Sequence, residues 1–256
     1  MIKLIDINAM ERLAGQKTFI HSLDPRCKLI LTLMFTIAVV STNRYATITL
    51  LPFFSYPLFL IIVADIPLLF LVKKLVIVSF FAFMLGIANP LLDKAIAVEI
   101  GGIAISGGWL SFASIMIRFS LTAGVALLLL MTTGMYNLSK GLEKLGIPKV
   151  FIIQLFFLYR YIFVLTDEAS RIINARSARS FGKKGLGITV FNHILSSLFM
   201  RSIDRAERIY TAMRCRGFNN GSIATLTKLH WSYKETLFLG AWTLLFVIFK
   251  YRILFL

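Results

Sequence analysis

The sequence predicts an all-α integral membrane protein with about five transmembrane helices and two long cytoplasmic helices. Three observations predict it. Of 256 residues, 58% are hydrophobic and the mean hydropathy is +0.81, against roughly 45–50% apolar in a soluble domain. The apolar residues gather into runs near the ~20-residue length that crosses a bilayer. Lysine and arginine number 28 against 12 acids, a formal charge of +16, and they sort to one side of the predicted spans.

The first runs cover 29–40 and 45–63 and read as a tight helical hairpin with its turn at 41–44. Asp24-Pro25 opens the first helix, because aspartate caps free amides and proline fits the first helical position. Asp65-Ile66-Pro67 ends the second. A third helix is expected over about 74–91, with a start as early as Leu68, and Lys73 and Lys74 mark its cytoplasmic edge. Residues 92–109, with four glycines and two acids, read as an external loop. A fourth span covers roughly 110–135. The last, 235–251, opens with Ser232-Tyr233-Lys234-Glu235, a capping box. Ahead of residue 28 no apolar stretch precedes a small-residue cleavage site, so no cleavable signal peptide is expected.

With the amino terminus inside, residues 1–28 supply five basic residues, 73–74 two, and 137–234 sixteen, so 23 of the 28 lie on the cytoplasmic side. Five spans then put the carboxyl terminus outside. Three regions follow: 1–136 with four membrane helices, 137–231 as a cytoplasmic region with two long helices, and 232–256 as a final membrane helix. The expected location is a prokaryotic cell membrane, crossed several times. The basic excess is explained by this asymmetry, and no nucleic-acid partner is implied.

Within 137–231 the pattern changes. A short polar helix, 137–145, is closed by Gly146 and restarted at Pro148. Residues 148–180 read as one helix about 50 Å long at about 1.5 Å per residue, oily in its first half and charged in its second. A second long helix is expected over 189–216, with apolar positions 191, 194, 195, 198, 199, 203, 206, 209, 210 and 213 near the 3.6-residue period.

The ends of these two helices repeat one pattern. Ala175-Arg176-Ser177-Ala178-Arg179-Ser180-Phe181 and Ala212-Met213-Arg214-Cys215-Arg216-Gly217-Phe218 each place alanine four residues before arginine, then a small residue, then phenylalanine. Helix ends favour cations, and Gly217 is placed to cap in the left-handed region. A duplicated arginine tip goes beyond capping and suits the grip of a two-fold partner. Arginine holds carboxylates or carbonyls in a fixed fork and keeps its charge. The expected docking residues are therefore Arg179 and Arg216 with Ala178, Ser180, Cys215 and Gly217, supported by Arg176, Arg214, Glu168 and Glu207. Glu168 and Glu207 are expected to pair with Arg171 and Arg208 on their own helices.

Catalytic and metal residues are not expected. His21, His193 and His230 show no ligand spacing, and Cys27 and Cys215 form no framework. No phosphate-binding Gly-x-x-x-x-Gly-Lys-(Ser/Thr) motif is present, and Gly182-Lys183-Lys184-Gly185 is a basic turn. No cofactor is implied, and energy from ATP, if used, has to come from another chain. Arg118, inside the fourth span, has two readings: snorkelling to headgroups or pairing with a partner's acid.

Leu23-Asp24-Pro25-Arg26-Cys27-Lys28-Leu29, Leu142-Glu143-Lys144-Leu145-Gly146-Ile147-Pro148, Tyr159-Arg160-Tyr161 and the paired arginine motifs resemble the transmembrane T component of energy-coupling factor transporters, most closely its cobalt branch, the CbiQ type. The resemblance runs from about residue 23 to 221. The family pattern is Ala-Arg-Gly, and Ala178-Arg179-Ser180 and Cys215-Arg216-Gly217 each depart from it at one small position. The resemblance implies two ATP-binding cassette ATPase subunits and a small membrane S component as partners, with Arg179 and Arg216 each seated in one ATPase. It implies an energy-coupling subunit for cobalt import, with nickel or a vitamin as alternatives. A membrane-bound lipid-modifying enzyme using Glu168 and Glu207, and a self-sufficient permease, are the readings from other classes.

Overall fold

The computed structural model describes residues 7–42, 48–92, 96–100, 103–179, 187–218 and 231–254. Two compact units emerge: Ile5–Gly141 with Leu229–Leu256, and Leu142–Lys228.

The first unit is the oily one. It begins with two short helices that the sequence reading did not anticipate, α1 (Ile7–Ala14) and α2 (Phe19–Ser22). Helix α3 (Pro25–Val40) follows, with the Asp24 carboxylate accepting the Arg26 amide at 2.9 Å as the cap. Beyond the turn, Ile48–Phe54 is a 3₁₀ helix that leads into α4 (Ser55–Ala64). Proline at 52 and at 57 withholds two amides and explains why one regular helix over 45–63 does not form. Residues 43–47, with most of the predicted turn, lie outside the described residues. Asp65 closes α4 in the left-handed region at φ 53°, and the Ile66 amide donates back to the Ile61 carbonyl at 3.3 Å.

Helix α5 (Leu68–Gly86) takes the earlier of the two predicted starts, so Lys73 and Lys74 lie inside it. The Lys74 ammonium sits 5.4 Å from the Phe70 ring centroid. A short α6 (Ala88–Leu92) leads to an antiparallel hairpin, β1 (Ile96–Ile100) and β2 (Ile103–Ser106). The expected loop over 92–109 therefore holds a two-stranded ribbon beside all-α architecture. Alternating Ile96, Val98, Ile100 and Ile103, Ile105 carry β-branched residues at period two, which favours strands.

Helix α7 (Gly107–Lys144) is two successive helical segments, the first carrying the fourth span and the second the predicted polar helix 137–145. Gly134, at φ 69° and ψ 158°, breaks it internally. Helix α10 (Tyr233–Leu254) closes the chain, with the Ser232 amide donating to Glu235 Oε2 at 2.8 Å. It packs on α3, and an aromatic cluster fills the seam. Phe35 lies 5.1 Å from Tyr56 and 5.5 Å from Phe246, centroid to centroid, and Tyr56 lies 4.8 Å from Trp242. Around it Leu31, Val39, Leu50, Phe53, Val125 and Leu128 are fully buried.

The second unit holds α8 (Lys149–Arg179) and α9 (Ile188–Cys215) packed together. Gly146 (φ 100°) makes the turn into α8, where the Ile147 amide donates to the Leu142 carbonyl at 3.2 Å.

Among the described residues, three helical stretches are long and apolar enough to cross a membrane: Leu68–Pro90, Gly107–Lys144 and Lys149–Arg179. Thr49–Ala64 is a shorter apolar helix. The 16 residues of α3 reach only about 24 Å, short of the ~30 Å hydrocarbon core. The chain is an all-α membrane protein, and part of its apolar surface is built from helices below spanning length.

Candidate functional site

The predicted tip residues sit on α8 and α9, and the facing side chains give the pairing of the two helices. Phe157 and Tyr161 lie across from Ile209 and Met213, Leu165 and Glu168 from Leu198 and Arg201, and Ile172 and Arg176 from Val190 and Ile194. Numbers rise on one helix as they fall on the other, so the pair is antiparallel. Arg179 ends α8 near the start of α9, and Arg216 caps the far end of α9. The 28 residues of α9 span about 42 Å. The two arginine motifs are therefore held apart, one at each end of a rod.

At the first end, Ala178 and Arg179 are exposed and Arg176 is half-buried. Arg176 and Arg179 line a groove of about 480 Å3 with Ile172, Val190, His193 and Ile194. Ser180 lies outside the described residues, as do Phe181 and the 182–185 turn. At the second end, Arg214, Cys215, Arg216 and Gly217 are all exposed. Gly217 stands at φ 80°, its amide donates to the Arg214 carbonyl at 3.0 Å, and the Phe218 amide donates to the Met213 carbonyl at 3.0 Å. This double closure satisfies the last carbonyls of the helix. It also leaves the Arg216 side chain free of capping duty. The Arg214 guanidinium lies 6.0 Å from the Tyr210 ring centroid, a position that draws it back along the helix.

The acids behave differently from the expectation. Glu168 accepts from Arg201 Nη1 at 2.7 Å across the hairpin, in place of the expected pair with Arg171. The physical reason is that antiparallel packing brings a guanidinium from α9 directly opposite, while Arg171 is exposed on its own helix. Glu207 is exposed and forms no ion pair among the described residues; the expected pair with Arg208 is absent. The two glutamates stand on different helices, Glu168 on α8 and Glu207 on α9. Among the described residues no group of three His, Cys, Asp or Glu gathers to hold a metal ion. Arg118 is half-buried in α7.

One feature was not anticipated, and a second follows the amphipathic pattern. A groove of about 370 Å3 between the helices is lined almost wholly by apolar atoms, from Phe157, Tyr161, Leu165, Ile209, Tyr210 and Met213. The 3.6-residue pattern of α9 contained this signal. Its other apolar stripe, Ile188, Phe191, Leu195, Phe199 and Ile203, is exposed, and no residue of α9 is fully buried. Exposed stripes of this size mark contact surfaces.

The chain matches the family described as cobalt transport protein, CbiQ, over residues 16–227. It is 30% identical over 236 residues to the energy-coupling factor transporter transmembrane protein EcfT of Staphylococcus aureus, covering 86% of this chain and 87% of that one. It is 28% identical over 235 residues to the EcfT of Listeria innocua (86% and 88% covered), and 29% identical over 236 residues to that of Bacillus subtilis (86% and 88%). The chain therefore belongs to the CbiQ family, as a T component of the energy-coupling factor type, a membrane component of a transporter and not an enzyme.

Proposed function

We propose that this chain couples an ATPase dimer to a small membrane substrate-binding component in an importer, with cobalt as the cargo. The observation that carries the reading is the antiparallel pair α8/α9 with one exposed arginine tip at each end. A two-fold dimer offers two equivalent grooves, separated in space. A rod with similar tips at its two ends, about 42 Å apart along α9, meets both. Arg179, with Ala178 and Ser180, seats in one ATPase subunit, and Arg216, with Cys215 and Gly217, seats in the other. Arg176 and Arg214 add positive charge nearby. Glu168 ties α8 to α9 through Arg201, and Glu207 adds an exposed acid on α9.

The coupling region, 137–231, is cytoplasmic in this reading, supported by its fifteen lysines and arginines. Residues 1–136 and 232–256 form the membrane part. ATP-driven closure of the dimer moves the two tips together, and the helix pair transmits that motion as a lever. Cobalt is supported by the description of the matched family; nickel and a vitamin are the competing cargoes, separated by competition against labelled cobalt uptake.

The test is Arg179→Glu and Arg216→Glu, singly and together, in the assembled transporter. Each single change is expected to weaken retention of the ATPase subunits, and the double change to abolish it along with uptake. Full retention and full uptake in the double variant would overturn the reading.

A further inference from the structure

The docking reading leaves the Leu23–Leu29 motif without a task, and the structure supplies one. We propose that this motif is a clamp that holds α7 broken at Gly134 and fixes the course of residues 135–141, with Lys28 as the positioning residue. The inference rests on the proposed coupling role only for its purpose, since 135–141 is the stretch through which the chain enters the coupling region.

Three ties converge on the break. Lys28 is buried, and its Nζ donates to the Thr132 carbonyl at 3.2 Å and to the His21 carbonyl at 3.4 Å. A break in a helix frees carbonyls in the preceding turn, and a cation suits that end of the helix dipole. Thr132 lies in that turn, two residues before Gly134. The second tie is Ala14, whose Cβ is 3.1 Å from where a Cβ on Gly134 would stand. With φ at 69° the backbone conformation disfavours any side chain there, and Ala14 leaves an added Cβ a tight fit. The third tie is Gly141, where an added Cβ would meet Leu29 Cδ1 at 2.9 Å and Pro25 Cβ at 3.1 Å. So α3 touches α7 on both sides of the break, before it through Lys28 and after it through Pro25 and Leu29.

The base of the clamp is rigid. Asp24 caps α3 through the Arg26 amide and lies 3.6 Å from Arg26 Nε. Further along, Phe35 on the same helix is locked among Phe53, Tyr56 and Phe246. A buried lysine is costly to desolvate, and an apolar residue would serve packing alone at least as well. A cation aimed at a freed carbonyl serves geometry instead.

Amide hydrogen exchange on the full chain in detergent tests this. Lys28→Met is expected to speed exchange across 135–141 about tenfold, with α3 and α10 protected as before. Lys28→Arg, which keeps a donor in reach of the carbonyl, is expected to restore slow exchange. Gly141→Ala, with Lys28 intact, is expected to loosen the same stretch. In a Gly134→Ala background, where the break is disfavoured, Lys28→Met is expected to add nothing further. Unchanged exchange across 135–141 in Lys28→Met would overturn the clamp, and so would an equal loosening of α3 and α10, which makes the lysine a general support of the fold. Neither readout involves an ATPase. Failure of the docking reading would appear in the arginine-tip variants and leave these exchange rates untouched.

Discussion

Glu168 on α8 and Arg201 on α9 meet at 2.7 Å, joining two helices at positions 33 residues apart in the chain. The contact marks the register of the antiparallel pair, and the register sets how far each arginine tip extends. The Arg201 side chain is 61% exposed and that of Glu168 22%, so water screens the pair. Removing either charge is expected to cost under about 1 kcal/mol. A double-mutant cycle by thermal unfolding at low and high salt should give a coupling that shrinks with salt. The charge-reversed pair, Glu168→Arg with Arg201→Glu, should recover most of it.

Gly217→Val should strain the end of α9. At φ 80° a β-branched side chain collides with its own backbone, at a cost of about 1–2 kcal/mol. The expected result is faster amide exchange over 213–218, where the Phe218 and Gly217 amides now close the helix, with the rest of α9 unaffected.

Phe35→Ala should be among the most damaging changes in the membrane unit. Phe35 is fully buried and contacts Phe53, Tyr56 and Phe246. Lipid gives little hydrophobic drive between helices, so the loss is mainly one of packing contacts. A cost of about 3 kcal/mol is expected, visible as a large fall in the melting temperature in detergent.

His21 gives a pH dependence of defined sign. Burial, and next the Lys28 ammonium, push its imidazole below the ordinary 6.5. Its Nδ1 lies 2.7 Å from Thr18 Oγ1. Between the lowered folded value and 6.5 the unfolded chain takes up a proton that the folded chain refuses. Stability is therefore full above pH 6.5 and falls as pH drops through the folded value. Melting temperatures from about pH 7 to about pH 5 should show this fall. His21→Gln should flatten it.

The sequence made the local signals readable. Asp24, Asp65, Gly146 and Gly217 each announce a helix boundary through their own backbone and side-chain chemistry, and all four stand at one. The long charged helices followed from composition and period. What stayed hidden depends on distant partners. Gly134 reads as one glycine in an apolar run, and only Ala14, Lys28 and the rest of α3 reveal it as a break. Arg201 could be assigned to Glu168 only once α9 was known to run back along α8. Pro52 and Pro57 stand in the sequence as a signal against a regular second helix, masked by the apolar run around them. For the site, the arginine tips were legible as a repeat. Their separation was not, because it comes from the antiparallel packing.

The most direct measurement is photo-crosslinking in the assembled transporter, with a reactive residue at Ala178, at Cys215, or at both. Each single position is expected to trap one ATPase subunit, and the doubly labelled chain to yield an adduct carrying two. Adducts to lipid or to the S component alone at either position would contradict the claim that two cationic tips engage two motor subunits.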